Sequence, residues 1–184
     1  MQLNCVDTAC EALLANKVIA LPTDTVYGLS TLVNQEAIEN LINIKQRPKD
    51  KGFIVISANV SHLLHFIDLQ NLTDEHLKQL YARHTRPTTW AAPVKREYRW
   101  LTGAFDSIAI RLCQHPVIEA ITTKLNQAIT SSSANLSGHN PIKNSHLIAS
   151  TFGEQLGFVY HQETILDQPP SRLIELISGK VLRP

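Results

Sequence analysis

Along the chain, short apolar runs alternate with stretches whose apolar positions fall three or four residues apart. In VDTACEALLANK, Val6, Cys10, Leu13 and Leu14 follow helical spacing. KVIALPTDT then reads as a buried strand that breaks at Pro22, because proline removes a ladder donor. NQEAIENLINIKQR puts Ile38, Leu41 and Ile42 on one helical face, with Asn34 as the N-cap and Pro48 as the stop. GFIVIS predicts a second strand, and TDEHLKQLYARH a helix started by Thr73 or Asp74. DSIAIRLC alternates, with Ile108, Ile110 and Leu112 directed inward and Ser107, Ala109 and Arg111 on the opposite face. HPVIEAITTKL predicts a helix with proline near its first turn. QAIT leads as a strand into a serine-rich loop, and SHLIASTFG is a short helix ending at Gly153. LGFVYH, RLIELIS and KVLRP close the chain as strands. The alternation predicts one α/β domain over residues 1–184, built on a mostly buried, mixed sheet flanked by helices.

Composition narrows the class. The chain has 184 residues, 43% apolar and 18% charged, which suits a globular domain rather than a disordered one. Its longest apolar runs fall far short of the ~18–20 residues that a membrane span requires. No charged segment followed by an apolar one marks an export signal, so the chain is expected to work in the cytoplasm. Cys5, Cys10 and Cys113 lack paired C-x-x-C spacing, which argues against a disulfide framework and against a zinc site. A net charge of +1 does not by itself suggest a nucleic-acid binder, but the charge is unevenly placed.

Four stretches carry candidate chemistry. In LPTDTVYGL, Thr23, Asp24 and Thr25 follow a buried strand, where ligand loops often lie, although Pro-Thr-Asp also suits a plain turn. KQRPKDKG packs Lys45, Arg47, Lys49 and Lys51 at a helix end. Such a cluster can be a solvated cap that complements the helix dipole, or it can face a pocket and grip phosphate or carboxylate. Arg111 lies within a strand, where its charge needs either an anionic ligand or an internal carboxylate. ITSSSANLSGHNP offers hydroxyls and backbone N–H groups that can form an anion cradle, or merely a turn. The common phosphate-loop and dinucleotide motifs are absent, and the eight histidines show no spacing that selects a catalytic triad.

Taken in order, LPTDTVYGL, KQRPKDKGFIVI, SIAIRLCQHP and SSSANLSG, with PPSRLIEL and VLRP near the C-terminus, resemble the YrdC/TsaC family of threonylcarbamoyl-AMP synthases over residues 18–183. The resemblance implies a twisted sheet around a positively charged concavity, in the short bacterial form without an appended C-terminal domain. It implies that L-threonine, bicarbonate (or CO2) and ATP give threonylcarbamoyl-AMP and pyrophosphate. A separate complex then transfers the threonylcarbamoyl group to adenosine 37 of tRNA. Matched residue by residue, Thr25, Arg111, Ser131 and Ser171 would bind threonine. Lys45, Arg47, Lys51, Ser107, Ser133, Asn135 and Arg183 would bind ATP, with Lys45, Arg47, Ser133 and Asn135 at the reacting centre and both cations reachable by solvent. Lys49 matches no role. Mg2+ would accompany ATP, held mostly by phosphates and water because no carboxylate cluster is evident. The chain departs from the family at Thr85 and Arg86, where Pro-Gly is frequent, and at Ser30, where YGLS replaces YGLG.

Two other readings compete. Arg83, Arg86, Lys95, Arg96 and Arg99, interleaved with Trp90, Tyr98 and Trp100, could form an RNA-binding module without chemistry, or the weak tRNA contact of an enzyme. The same run also reads as a solvated loop. A carbamoyl-transferring accessory domain is the third reading.

Overall fold

The computed structural model describes residues 3–161 and 169–184. Among them, nine strands form one mixed sheet. They are β1 (Ile19–Leu21), β2 (Gly28–Ser30), β3 (Ile54–Ser57), β4 (Thr88–Pro93), β5 (Ser107–Leu112), β6 (Ile129–Ser133), β7 (Phe158–Val159), β8 (Arg172–Glu175) and β9 (Val181–Arg183). Their order is β7-β1-β2-β6-β3-β5-β4-β8-β9. The helices are α1 (Leu3–Leu14), α2 (Gln35–Lys45), α3 (Val60–Leu64), α4 (Asp74–Tyr81), α5 (Pro116–Leu125) and α6 (Ser145–Phe152). The single α/β domain with a mixed sheet agrees with the sequence pattern. No helix among the described residues is long and apolar enough to cross a membrane.

Helix ends follow local chemistry. Asn34 Oδ1 accepts the Ala37 N–H at 2.9 Å and starts α2. Thr73 starts α4 in a capping box, its hydroxyl accepting from the His76 N–H while the His76 ring accepts from the Thr73 N–H. Pro116 opens α5. Helix α2 stops before Pro48, at Gln46, whose φ of 49° is left-handed. The Arg47 N–H bonds back to the Ile42 carbonyl, closing a Schellman turn that satisfies the last carbonyls. Helix α4 likewise ends at Tyr81, where Ala82 is extended, and does not run on to His84.

Three features differ from the sequence expectation. Leu14 is exposed although its spacing matches the buried face of α1. Ser131, Ser132 and Ser133 belong to β6 rather than to a loop, because β6 pairs with β2 on one side and β3 on the other. The segment Thr88–Pro93, within the run read as a basic loop, is a strand between β5 and β8. Its alanines carry weak strand propensity, so pairing on both sides decides its conformation.

Strand alternation divides the core between the two sheet faces. Val18, Ala20, Val55, Ile108 and Ile110 join one cluster with Ile38 and Leu41 of α2 and Ile148 and Phe152 of α6. Ile19, Leu21, Ile56 and Ile129 join the other with Leu13 of α1 and Ile118 and Ile121 of α5. Ser30 pairs with Ile19 and so shares this second face, where its hydroxyl is buried with no hydrogen-bond partner among the described residues. An unpaired buried hydroxyl costs folding free energy. Ser30→Ala should therefore stabilise the protein by about 1 kcal/mol. A denaturant titration showing a lower midpoint for the variant would contradict this account.

Candidate functional site

The sheet face covered by α1 and α5 does not end where those helices end. Ile56 pairs with Ile129 and with Arg111, and one row further on Ile54 pairs with Ser131 and with Ala109. Paired residues share a face, so the row of Ile129, Ile56 and Arg111 passes directly into the row of Ser131, Ile54 and Ala109, which lines the cavities. Gly28 pairs with Ser133 on that same face. This second row forms the floor of a cavity of about 200 Å3, bounded by Thr25, Arg47, Arg111, Ser131, Ser133, Ser171 and Arg183. A larger cavity of about 630 Å3 adjoins it, sharing Arg47, Phe53, Ile54 and Arg183. It is lined further by Lys51, Ser107, Ala109, Phe105 and Leu182.

Charge in the smaller cavity is unbalanced. Arg47, Arg111 and Arg183 all line it. Arg111 is buried and meets Asp24 Oδ1 at 3.3 Å, with a second N–H directed at the Thr25 hydroxyl at 3.4 Å. Asp24 also accepts from the Cys113 thiol, whose pKa burial pushes up to about 11. Arg111 thus has the internal carboxylate considered above, yet its Nε is buried without a hydrogen-bond partner among the described residues. Arg47 donates to the Gly52 carbonyl at 2.8 Å and lies 5.0 Å above the Phe53 ring, and its Nε likewise has no partner among the described residues. Any side chain at Gly52 would meet the Thr102 carbonyl, so close backbone packing holds the carbonyl that holds Arg47. Arg183 donates to the Ser171 carbonyl at 2.8 and 3.1 Å. Desolvation first, and Arg111 second, lower its pKa. Among the described residues, three guanidiniums stand against the single carboxylate of Asp24, an arrangement that suits an anion.

The hydroxyl side of the cavity is equally specific. Ser171 shares a hydrogen bond of 2.7 Å with Thr89 of β4. Thr23 and Thr25 hydroxyls lie 3.1 Å apart, and Thr23 donates to the Val26 carbonyl. Gly28 keeps the wall open, because a Cβ there would overlap the Ser131 hydroxyl.

Two residues sit elsewhere than expected. Lys45 is only 1% exposed and lines neither cavity, so it is not reachable by solvent. Its ammonium donates to the Ser133 and Asn135 carbonyls and, at 3.4 Å, to Asn135 Oδ1. Burial chiefly, and Arg47 next, push its pKa down to about 7. Asn135 also lies behind the wall, with its amide nitrogen bonded to the Leu136 and His139 carbonyls at 2.8 Å each. Thr25, Arg47, Arg111, Ser131, Ser133, Ser171 and Arg183 meet in one cavity, and Lys51 and Ser107 line its neighbour. Sequence reasoning missed Phe53, Pro141 and Pro170 as wall residues, and Phe105 and Leu182 in the larger cavity. Phe105 is 62% exposed, an unusual position for a large apolar side chain, but no local pattern marks it as cavity lining.

The aromatic platform needed by an RNA-binding module does not form as expected. Trp90 is buried in the core within β4, and the Tyr98 hydroxyl bonds the His65 ring while its own ring packs edge-on against Phe66. Strand pairing and core burial remove Trp90 from solvent, and contacts with His65 and Phe66 hold the half-buried Tyr98.

The chain is similar to known proteins along most of its length. The Sua5_yciO_yrdC family model, described as Telomere recombination, matches residues 11–184. The Threonylcarbamoyl-AMP synthase of Haemophilus influenzae (strain 86-028NP) is 38% identical over 176 residues, spanning 94% of this chain and 95% of the relative. The crystal structure of P. abyssi Sua5 complexed with L-threonine matches with a TM-score of 0.87 at 25% identity, over 97% of this chain and 53% of that one. The crystal structure of E. coli YciO matches in fold with a TM-score of 0.83 at 23% identity, over 99% of this chain and 89% of that one.

A cavity with this charge balance should bind polyanions. Inorganic pyrophosphate at low ionic strength should raise the melting temperature of the wild type. Arg47→Ala should cancel most of the rise, since a charge-assisted hydrogen bond is worth roughly 1.5–3 kcal/mol. Lys49→Ala should leave it unchanged, because Lys49 is exposed and merely 3.7 Å from Glu39 on the surface. Identical shifts in all three proteins would rule out the anion receptor.

Proposed function

The chain belongs to the Sua5/YciO/YrdC family, and from that premise we propose that it is a threonylcarbamoyl-AMP synthase, a nucleotidyltransferase acting on L-threonine, bicarbonate (or CO2) and ATP. One observation carries the reading. A small polar cavity built around the Arg111 fork opens, past Arg47 and Arg183, into a larger cavity with apolar walls.

An amino acid suits the smaller cavity. Its carboxylate can meet the Arg111 guanidinium, and its hydroxyl and ammonium can bond Thr25, Ser131 and Ser171. A nucleoside suits the larger one, with Phe105, Leu182 and Ala109 around the base and Lys51 and Ser107 at polar positions. The triphosphate then lies along Arg47 and Arg183, which are common to both.

The chemistry needs no enzymic nucleophile. The neutral threonine amine adds to the carbon of CO2 with release of a proton to solvent, or to that of bicarbonate with loss of water, and gives a carbamate. A carbamate oxygen bonds to the α-phosphorus of ATP as the bond to the bridging oxygen breaks and pyrophosphate leaves. Two anions must approach, so guanidiniums held in place before the ligands arrive contribute through proximity and charge stabilisation. Among the described residues, no cluster of three His, Cys, Asp or Glu side chains stands ready for a metal ion, and Asp24 already serves Arg111. Magnesium therefore belongs to this reading as ATP's own counter-ion, part of the substrate. The product, a reactive mixed anhydride, passes to a separate tRNA-modifying complex in the cytoplasm.

Pyrophosphate release from ATP should require L-threonine and bicarbonate together. Serine should support less turnover, the missing methyl costing only ~1–3 kcal/mol. Release that ignores threonine would end this assignment. Arg111→Lys should raise the KM for threonine by roughly ten- to a hundredfold, and the KM for ATP much less, because lysine lacks the planar fork. A lower melting temperature with an unchanged ratio of the two KM values would instead reduce Arg111 to a partner of Asp24.

A further inference from the structure

Lys45 and Arg47 are two residues apart, yet they face opposite ways. The left-handed Gln46 between them makes the difference. It closes the C-terminus of α2, leaving Lys45 on the buried side of the last turn and carrying Arg47 out to the cavity.

The Lys45 ammonium has three protons and three oxygen acceptors, the Ser133 carbonyl, the Asn135 carbonyl and Asn135 Oδ1. The Lys45 backbone carbonyl also accepts the Ser137 N–H at 3.0 Å. Turning the ammonium toward a ligand would take its donor from the half-buried Asn135 carbonyl and leave the Ser133 carbonyl with the Asn135 N–H alone. The bond to Asn135 Oδ1 also orients that amide. Its oxygen faces Lys45 and Ser133, while its nitrogen donates to the Leu136 and His139 carbonyls. The Ser133 hydroxyl must then donate its one proton to Asn135 Oδ1, which lies 2.6 Å away.

We propose that Lys45 is a positioning residue which, through Asn135, commits the Ser133 proton inward and leaves the Ser133 oxygen facing the cavity as a hydrogen-bond acceptor. Ser133 then meets an N–H or O–H of the ligand rather than a bare phosphate oxygen. The phosphates fall to the guanidiniums. Burial of the ammonium, which lowers its pKa, is tolerable because every proton is matched by an oxygen.

The proposal rests on the synthase reading for its kinetic test only; the exchange test uses the free protein. Hydrogen exchange at Ala134, Ser137 and Ile142, whose N–H groups bond to the Tyr27, Lys45 and Ala134 carbonyls, reports the order of this wall. Lys45→Met should speed exchange there at least tenfold without ligand, and Arg47→Ala should not. Lys45→Gln, which keeps an amide donor, should restore part of the protection and serves if the methionine variant does not fold. In kinetics, Lys45→Met and Ser133→Ala should each lower kcat/KM for ATP, and the double variant should be no worse than the poorer single within about twofold. Unchanged exchange with a raised KM for ATP would make Lys45 a direct ligand and overturn the proposal. Additive losses, or a lower melting temperature with unaltered KM values, would overturn it too. Absence of synthase turnover in the wild type would refute the proposed function and leave the exchange comparison standing.

Discussion

Strand β6 carries the constraint on which the rest of the molecule depends. It is paired on both sides, so its side chains can only alternate between the two faces. Along one face they change from Ile129, buried with α1 and α5, to Ser131 and Ser133, which face the cavity. One strand begins in the core and ends as the wall of the site. A slip of one residue would bury both serines and expose Ile129. In β3 the neighbouring register makes the same passage from core to cavity, from Ile56, buried with α1 and α5, to Ile54, which lines it.

Holding cations beside such a wall is costly unless each has something to lean on. The structure meets that cost with backbone carbonyls more than with carboxylates. Gly52 supports Arg47, Ser171 supports Arg183, and Ser133 and Asn135 support Lys45. A carbonyl restrains a cation without neutralising it, so the positive charge remains available to a ligand. Asp24 is the exception, and it engages only part of the Arg111 guanidinium. The result is a preorganised site whose attraction for anions survives its own internal hydrogen bonding.

Much of this was legible in the residues. Asn34 and Thr73 announce helix starts because their side chains compete for the first free N–H groups, a contest decided within four residues. Ile108 and Ile110 announce a strand because alternation is itself local. The four polar stretches pointed to the cavity, since hydroxyls and cations following apolar strands are poor core material. By contrast, β4 was only weakly marked. Thr88, Thr89 and Trp90 favour a strand, and the family resemblance has one after Pro87. The alanines and the basic residues around it weaken the local signal, and pairing with β5 and β8 decides the conformation.

The K-x-R pair shows where sequence stops. The residues alone determined the chemistry at hand: two cations, a serine-rich strand, an arginine within an apolar run, and the order that ties them to a family. They also determined the elements, because caps and periodicities act over a few residues. Only the tertiary structure decided that Lys45 turns inward to Asn135 while Arg47 faces the ligand. That choice depends on a left-handed residue and on carbonyls some ninety positions away. Contacts of that separation leave no period in the chain. They arise when β6 is laid between β2 and β3, which brings its carbonyl end over the last turn of α2.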